Sequence, residues 1–202
     1  AASMGGESAT AIQAAKDLAK LNNNTAMLSL ALVRFGRFDE VLEINNKPNG
    51  EINISMYDFA QGYAALKGGN IETAQKVAGS LKDLASSTNS RFRFHDGKDI
   101  IGTMAAILEG EIAWHQGNLE AAANSFRLAT DYYENLNYDE PEPLPFSPRH
   151  WLGAAYMAMG AHENALEQYQ KDLREHPNNI WGLWGAQQAS RKMANPSPLI
   201  DT

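Results

Sequence analysis

The sequence predicts an all-α fold, a right-handed α-solenoid of antiparallel helix pairs. Three observations predict it: a glycine-turn signature that recurs four times, apolar residues at helical spacing on both sides of each turn, and Asn or Pro residues that stop helices between units. The recurring segments are Gly36-Arg-Phe-Asp-Glu-Val41, Gly69-Asn-Ile-Glu-Thr-Ala74, Gly117-Asn-Leu-Glu-Ala-Ala122 and Gly160-Ala-His-Glu-Asn-Ala165. Each has an acid three residues after the glycine and a small or β-branched residue five after it. The first interval, Gly36 to Gly69, is 33 residues. The longer later intervals fit the same unit with insertions, at the irregular stretches 87–99 and 137–148.

Each position in the signature has a mechanical reason. Glycine after an apolar-periodic run takes the left-handed conformation that ends a helix, and Asn70 or Asn118 directly after it caps the next one. Asp39, Glu72, Glu120 and Glu163 then meet the positive end of the following helix dipole. Seven residues before the turns stand Ser29, Gly62, Gly110 and Gly153, opposite Val41, Ala74, Ala122 and Ala165. Two antiparallel helices joined by so short a turn must cross where neither carries bulk, so these pairs define the crossings. Counted this way, helix pairs occupy residues 22–53, 54–88, 100–136 and 146–179 of a single domain, 7–195. A leading helix at 8–21 carries Ile12, Ala15, Leu18 and Ala19 on one stripe and reads as the second helix of a unit whose first lies upstream. A capping helix at 180–194, capped by Asn179 and stopped by Asn195-Pro196, covers the other end of the array. Residues 1–6 read as a tag-like or disordered end without the charged and apolar regions of a signal peptide, and 196–202 as a tail.

The last unit, Trp151-Leu-Gly-Ala-Ala-Tyr156 followed by Gly160, Ala165, Tyr169 and Pro177, resembles the tetratricopeptide repeat, a helix pair of about 34 residues. The stretch from Gly110 to Ala129 is a fair match to it. The first two units are degenerate: Val41 replaces the usual alanine, Asn45 stands where a large apolar residue is expected, and Asn45-Asn-Lys-Pro-Asn-Gly50 ends the second helix early. The segments Val33–Val41, Tyr138–Pro141, Pro148-Arg149 and Trp181-Gly-Leu-Trp184 are similar to the carboxy-terminal half of a group of larger bacterial tetratricopeptide repeat proteins that has no settled activity.

Composition excludes several function classes. With 17 Lys and Arg against 24 Asp and Glu the net charge is −7, which argues against nucleic-acid or anionic-membrane binding. Without cysteine there is no disulfide framework, thiolate metal site or cysteine nucleophile, and the compartment stays open between cytoplasm and periplasm for a chain that reads as soluble. No glycine-rich phosphate loop, H-E-x-x-H or G-x-S-x-G motif occurs, and His95, His115, His150, His162 and His176 are not paired at helical spacing. The reading is therefore not an enzyme, with no cofactor and no metal site.

In stacked helix pairs the first helix of each unit lines the concave face. Its candidate residues are Met27, Phe59, Tyr63, Glu111, Trp114, His150, Trp151 and Met157, with Arg149 beside them. This lining is aromatic and weakly acidic, and it lacks the Lys, Arg and Asn by which clamps of the resembled family hold peptide carboxyl ends. The expected function is a protein- or peptide-binding scaffold for an apolar or basic segment. Aromatics at helical spacing are also what a core uses, so part of this set has a structural reading.

Two alternatives stay open: a self-association module forming a homodimer through exposed terminal helices, and a small-molecule binder or enzyme using Glu111, Glu140, Arg149 and His150 at the 137–150 strap. That strap holds four prolines and cannot be helical. Arg149 paired with Asp139 or Glu140, and Tyr138 and Phe146 as pins, would fix it. The alternation Arg91-Phe-Arg-Phe94-His95 superficially suggests a base-stacking ribbon, but its acidic context favours a loop anchored by Phe92 and Phe94.

Overall fold

The computed structural model describes residues 2–193; the end of the expected capping helix at Ala194, the stop at Asn195-Pro196 and the tail lie outside them. Its helices are α1 (Ser8–Asn22), α2 (Ala26–Arg34), α3 (Phe38–Leu42), α4 (Glu51–Lys67), α5 (Ile71–Ser87), α6 (Gly97–His115), α7 (Leu119–Glu134), α8 (Arg149–Ala158), α9 (His162–Glu175) and α10 (Ile180–Lys192). The chain is all-α in character, with helices adjacent in sequence packed on one another, α4 also on α6, and α10 on both α8 and α9. A short antiparallel hairpin, β1 (Arg91–Phe92) with β2 (His95–Asp96), lies between α5 and α6.

The turn glycines do what only glycine does without strain. Gly36, Gly69, Gly117 and Gly160 have φ of 67°, 89°, 79° and 75°. Behind two of them the Asn70 and Asn118 carboxamides accept the amides of Thr73 and Ala121 at 3.0 Å. The crossings are tight as well. A Cβ at Gly62 would sit 2.9 Å from Val77, one at Gly110 2.6 Å from Cδ1 of Phe126, and one at Gly153 2.6 Å from Cζ of Tyr169. The glycines do not pair with the small residues opposite them as expected: their nearest neighbours are the larger Val77, Phe126 and Tyr169, three or four residues beyond Ala74, Ala122 and Ala165, which like Val41 are fully buried.

The first pair is stunted. Its second helix, α3, is five residues long, because the Asn- and Pro-rich run to Gly50 cannot continue it; Gly50, at φ 86°, then opens α4 at Glu51.

Both insertions differ in detail from expectation. In the hairpin Phe92 faces His95, and cross-strand partners share a face. Phe92 and His95 therefore turn inward, His95 completely buried, while Phe94 is exposed. In the strap, Leu144 and Phe146 are fully buried against the core and Tyr138 stands in solvent. Burying Phe146 alone contributes about 1.5–3 kcal/mol toward holding this proline-rich segment down.

Residues 2–6, expected outside the fold, form turns seated on α10: the Ile180 amide donates to the Met4 carbonyl at 3.1 Å. The first turn of a helix leaves such amides without intrahelical partners, and here the chain's own start supplies one. Among the described residues no helix is long and apolar enough to cross a membrane.

Candidate functional site

The inner faces of α4, α6 and α8 bring Phe59, Tyr63, Glu111 and Trp151 together, and these side chains bond to one another. Glu111 Oε1 accepts from the Tyr63 hydroxyl at 2.6 Å and from Trp151 Nε1 at 2.7 Å, while Oε2 accepts from Lys67 Nζ at 2.6 Å. Burial first, then the Glu111 charge, raises the Tyr63 phenol well above its ordinary value, so it stays a donor. Phe146 of the strap lies over Phe59 and Trp151, at ring-centroid distances of 5.9 and 5.3 Å. Periodicity identified this face; the strap that covers it came from a segment with no periodicity. Trp114 stands apart against Phe126, and Met157 packs toward α9 and α10.

Arg149 and His150 belong to different arrangements. Arg149 donates to Gln168 Oε1 at 2.9 Å and also pairs with Glu134, rather than with Asp139 or Glu140. As the first residue of α8 it faces α9 and the end of α7, away from the strap's acids. Asp139 is held instead by Arg93 at 2.6 Å and by His95 Nε2 at 3.0 Å, so the hairpin clamps the strap.

His150 enters a buried polar cluster centred on Asp172 of α9. The Asp172 carboxylate accepts from His150 Nε2 at 2.8 Å, Asn179 Nδ2 at 3.0 Å and His176 Nδ1 at 3.2 Å. His176 Nε2 donates to Glu142 of the strap at 2.6 Å, and the Tyr133 hydroxyl donates to the other oxygen of Glu142 at 2.9 Å. From α2, Arg34 Nη1 lies 3.2 Å from His150 Nδ1, and its guanidinium rests 4.5 Å from the Trp181 ring centroid.

The donors fix the protonation states. Arg34 can only donate, so His150 Nδ1 accepts and Nε2 carries the proton: a neutral imidazole. Burial lowers its pKa, with Asp172 partly opposing. His176 faces a carboxylate at each nitrogen and is doubly protonated, its pKa pushed up to about 10 by hydrogen bonds to Asp172 and Glu142. Burial alone would raise the Asp172 carboxyl, but the hydrogen bonds from His150 and His176 together hold it well below the usual carboxylate range.

A pH dependence follows. His150 contributes stability that is complete above its ordinary 6.5 and lost as the pH falls below it. His176 contributes stability that is complete below 6.5 and lost as the pH rises toward 10. Thermal midpoints measured from acid to alkaline pH should therefore be highest near neutrality. His176→Gln should be less stable than the parent at neutral pH, and the gap should close on the alkaline side. A gap independent of pH would show that His176 is not held as a cation.

Two clefts flank the strap, of about 520 and 350 Å³. Both are lined by Tyr138, Asp139, Glu142, Glu175 and His176. The larger adds Met4, Met27 and Pro145 as an apolar wall, with the fully buried Leu144 behind it, and Glu140. Asp139 and Glu142 are committed to Arg93 and His176, which leaves Glu140 and Glu175 as the acids without a cation partner in the ion pairs described. Among the described residues no group of three or more His, Asp or Glu side chains is placed to hold a metal ion.

Sequence reasoning singled out neither Asp172 and His176 nor the pair Arg93 and His95 as strap anchors. The available signal was weak: His176 lies four residues after Asp172, one helical turn, at the end of α9. Compared with family models, with curated proteins and with solved structures, the chain matches nothing.

Proposed function

We propose that this chain is a protein-interaction module, a right-handed tetratricopeptide-like stack of helix pairs, and that it takes a basic, partly apolar segment in the larger cleft beside the strap. The recurring turns and crossings support the stack. One observation carries the binding reading: the 520 Å³ cleft combines the Met4, Met27 and Pro145 wall with Glu140 and Glu175, and the cation in its lining, His176, is already held between two carboxylates. A concave, low-dielectric wall concentrates the field of such acids, which suits Lys or Arg. The exposed Tyr138 ring at the rim adds a face for a cation. The inner aromatic face remains the scaffold's core in this reading, because its polar tips are satisfied by one another.

The test uses a short synthetic peptide with leucines at helical spacing and lysines elsewhere, titrated calorimetrically. Binding should weaken with salt and fall by about tenfold or more in Glu140→Lys/Glu175→Lys, since reversing two rim charges opposes encounter as well as contact. Equal affinity for parent and double variant would rule out this cleft.

A further inference from the structure

α10 exposes two tryptophans and an isoleucine on one face. Trp184 is 65% exposed, Ile180 47% and Trp181 37%. They border a cleft of about 530 Å³, completed by Phe35 from the end of α2, Ile12 of α1, and Arg37. The site is organised in advance. Trp181 is fixed on one side by the Arg34 guanidinium and on another by Phe35, at a centroid distance of 6.3 Å, and Trp184 follows one helical turn later. Indole side chains so placed supply large contact area for little ordering cost, which is why tryptophan recurs in binding hot spots.

The charge at this cleft has the opposite sign to the strap. Among the described residues Arg37 is the one charged residue in its lining, with a half-exposed side chain. Its partner Glu40 also pairs with Lys16, at 3.4 Å, so that carboxylate is shared between two cations. The start of α1, at Ser8, borders the same cleft without a side-chain cap, and its dipole has the same sign.

We infer that this cleft is a second docking site, for a protein segment that places a large apolar side chain against Trp181 and Trp184 and a carboxylate on Arg37. The apolar anchor supplies affinity by excluding water from the indoles. The carboxylate sets orientation and discriminates against the lysine-rich segments that suit the strap cleft. The two sites are independent, and the failure of one reading leaves the other standing.

The probe is a short leucine-and-aspartate peptide with the same leucine spacing as the lysine peptide, added to the full chain while the indole N–H resonances are followed by NMR. The Trp181 and Trp184 signals should shift on titration. Arg37→Glu and Trp184→Ala should each weaken binding by about tenfold or more, while Glu140→Lys/Glu175→Lys leaves it unchanged. Both substituted side chains of the cleft variants are at least half exposed, so the fold should survive either change. No shift at millimolar peptide would overturn the inference. So would an equal response to the lysine peptide, or a concentration-dependent dimer of the free protein that Trp184→Ala abolishes, which would make a second copy the occupant.

Discussion

Asp172→Ala should cost about 3–5 kcal/mol of unfolding free energy, the largest loss expected from any single polar substitution in this protein. Asp172 is 1% exposed, and its carboxylate neutralises one side of the His176 cation while accepting from His150 and Asn179. Removing it leaves a buried imidazolium with Glu142 alone and leaves His150 Nε2 without an acceptor. It also frees Asn179, the cap of α10, which accepts the Trp181 amide at 3.2 Å. The loss therefore reaches α2, α10 and the strap together. Asp172→Asn keeps the shape and removes the charge, so it should fall between alanine and the parent. Denaturant unfolding measures both. A cost below about 1 kcal/mol for the alanine variant would mean that the cluster is open to water, since exposed ion pairs are worth no more than that.

This cluster marks where sequence reasoning stopped. What could be read was local. Each turn glycine, its acid and its small residue lie within one helix hairpin, and the early end of α3 is written in Asn45-Asn-Lys-Pro-Asn-Gly50. The contact of Arg34 with His150 spans 116 residues, and that with Asn179 spans 145. No spacing rule links such positions; they meet because the end of α2 lies beside the start of α8 and the cap of α10. The strap illustrates the other failure. Nearness in sequence favoured Arg149 for Asp139, but α8 points Arg149 at Gln168, and Arg93 reaches the strap from a hairpin more than forty residues earlier. Periodicity also placed Phe59, Tyr63 and Trp151 on one face without showing that Phe146 would lie on it.

Gly110→Leu should destabilise by about 1–3 kcal/mol or more, and Gly153→Leu likewise, because both positions are crossings with no room for a side chain. At Gly110 the first added carbon would already fall 2.6 Å from Cδ1 of Phe126, a ring with no exposed surface. Either α6 and α7 must separate, losing the contacts that Ala122 and Ala123 make, or the ring must leave its minimum. Alanine is the sharper probe, since in a helix interior it is otherwise favoured over glycine by about 0.5–1 kcal/mol. Gly79, in the middle of α5, has nothing within 4 Å of where its Cβ would be. Gly79→Ala should therefore stabilise the protein, while the same change at Gly110 should weaken it, and Phe126→Leu should recover part of that loss by making space. Opposite signs at two helical glycines separate packing from propensity in one experiment. If Gly110→Ala stabilised the chain as Gly79→Ala does, the helices would not cross there, and the register of the whole repeat would have to be redrawn.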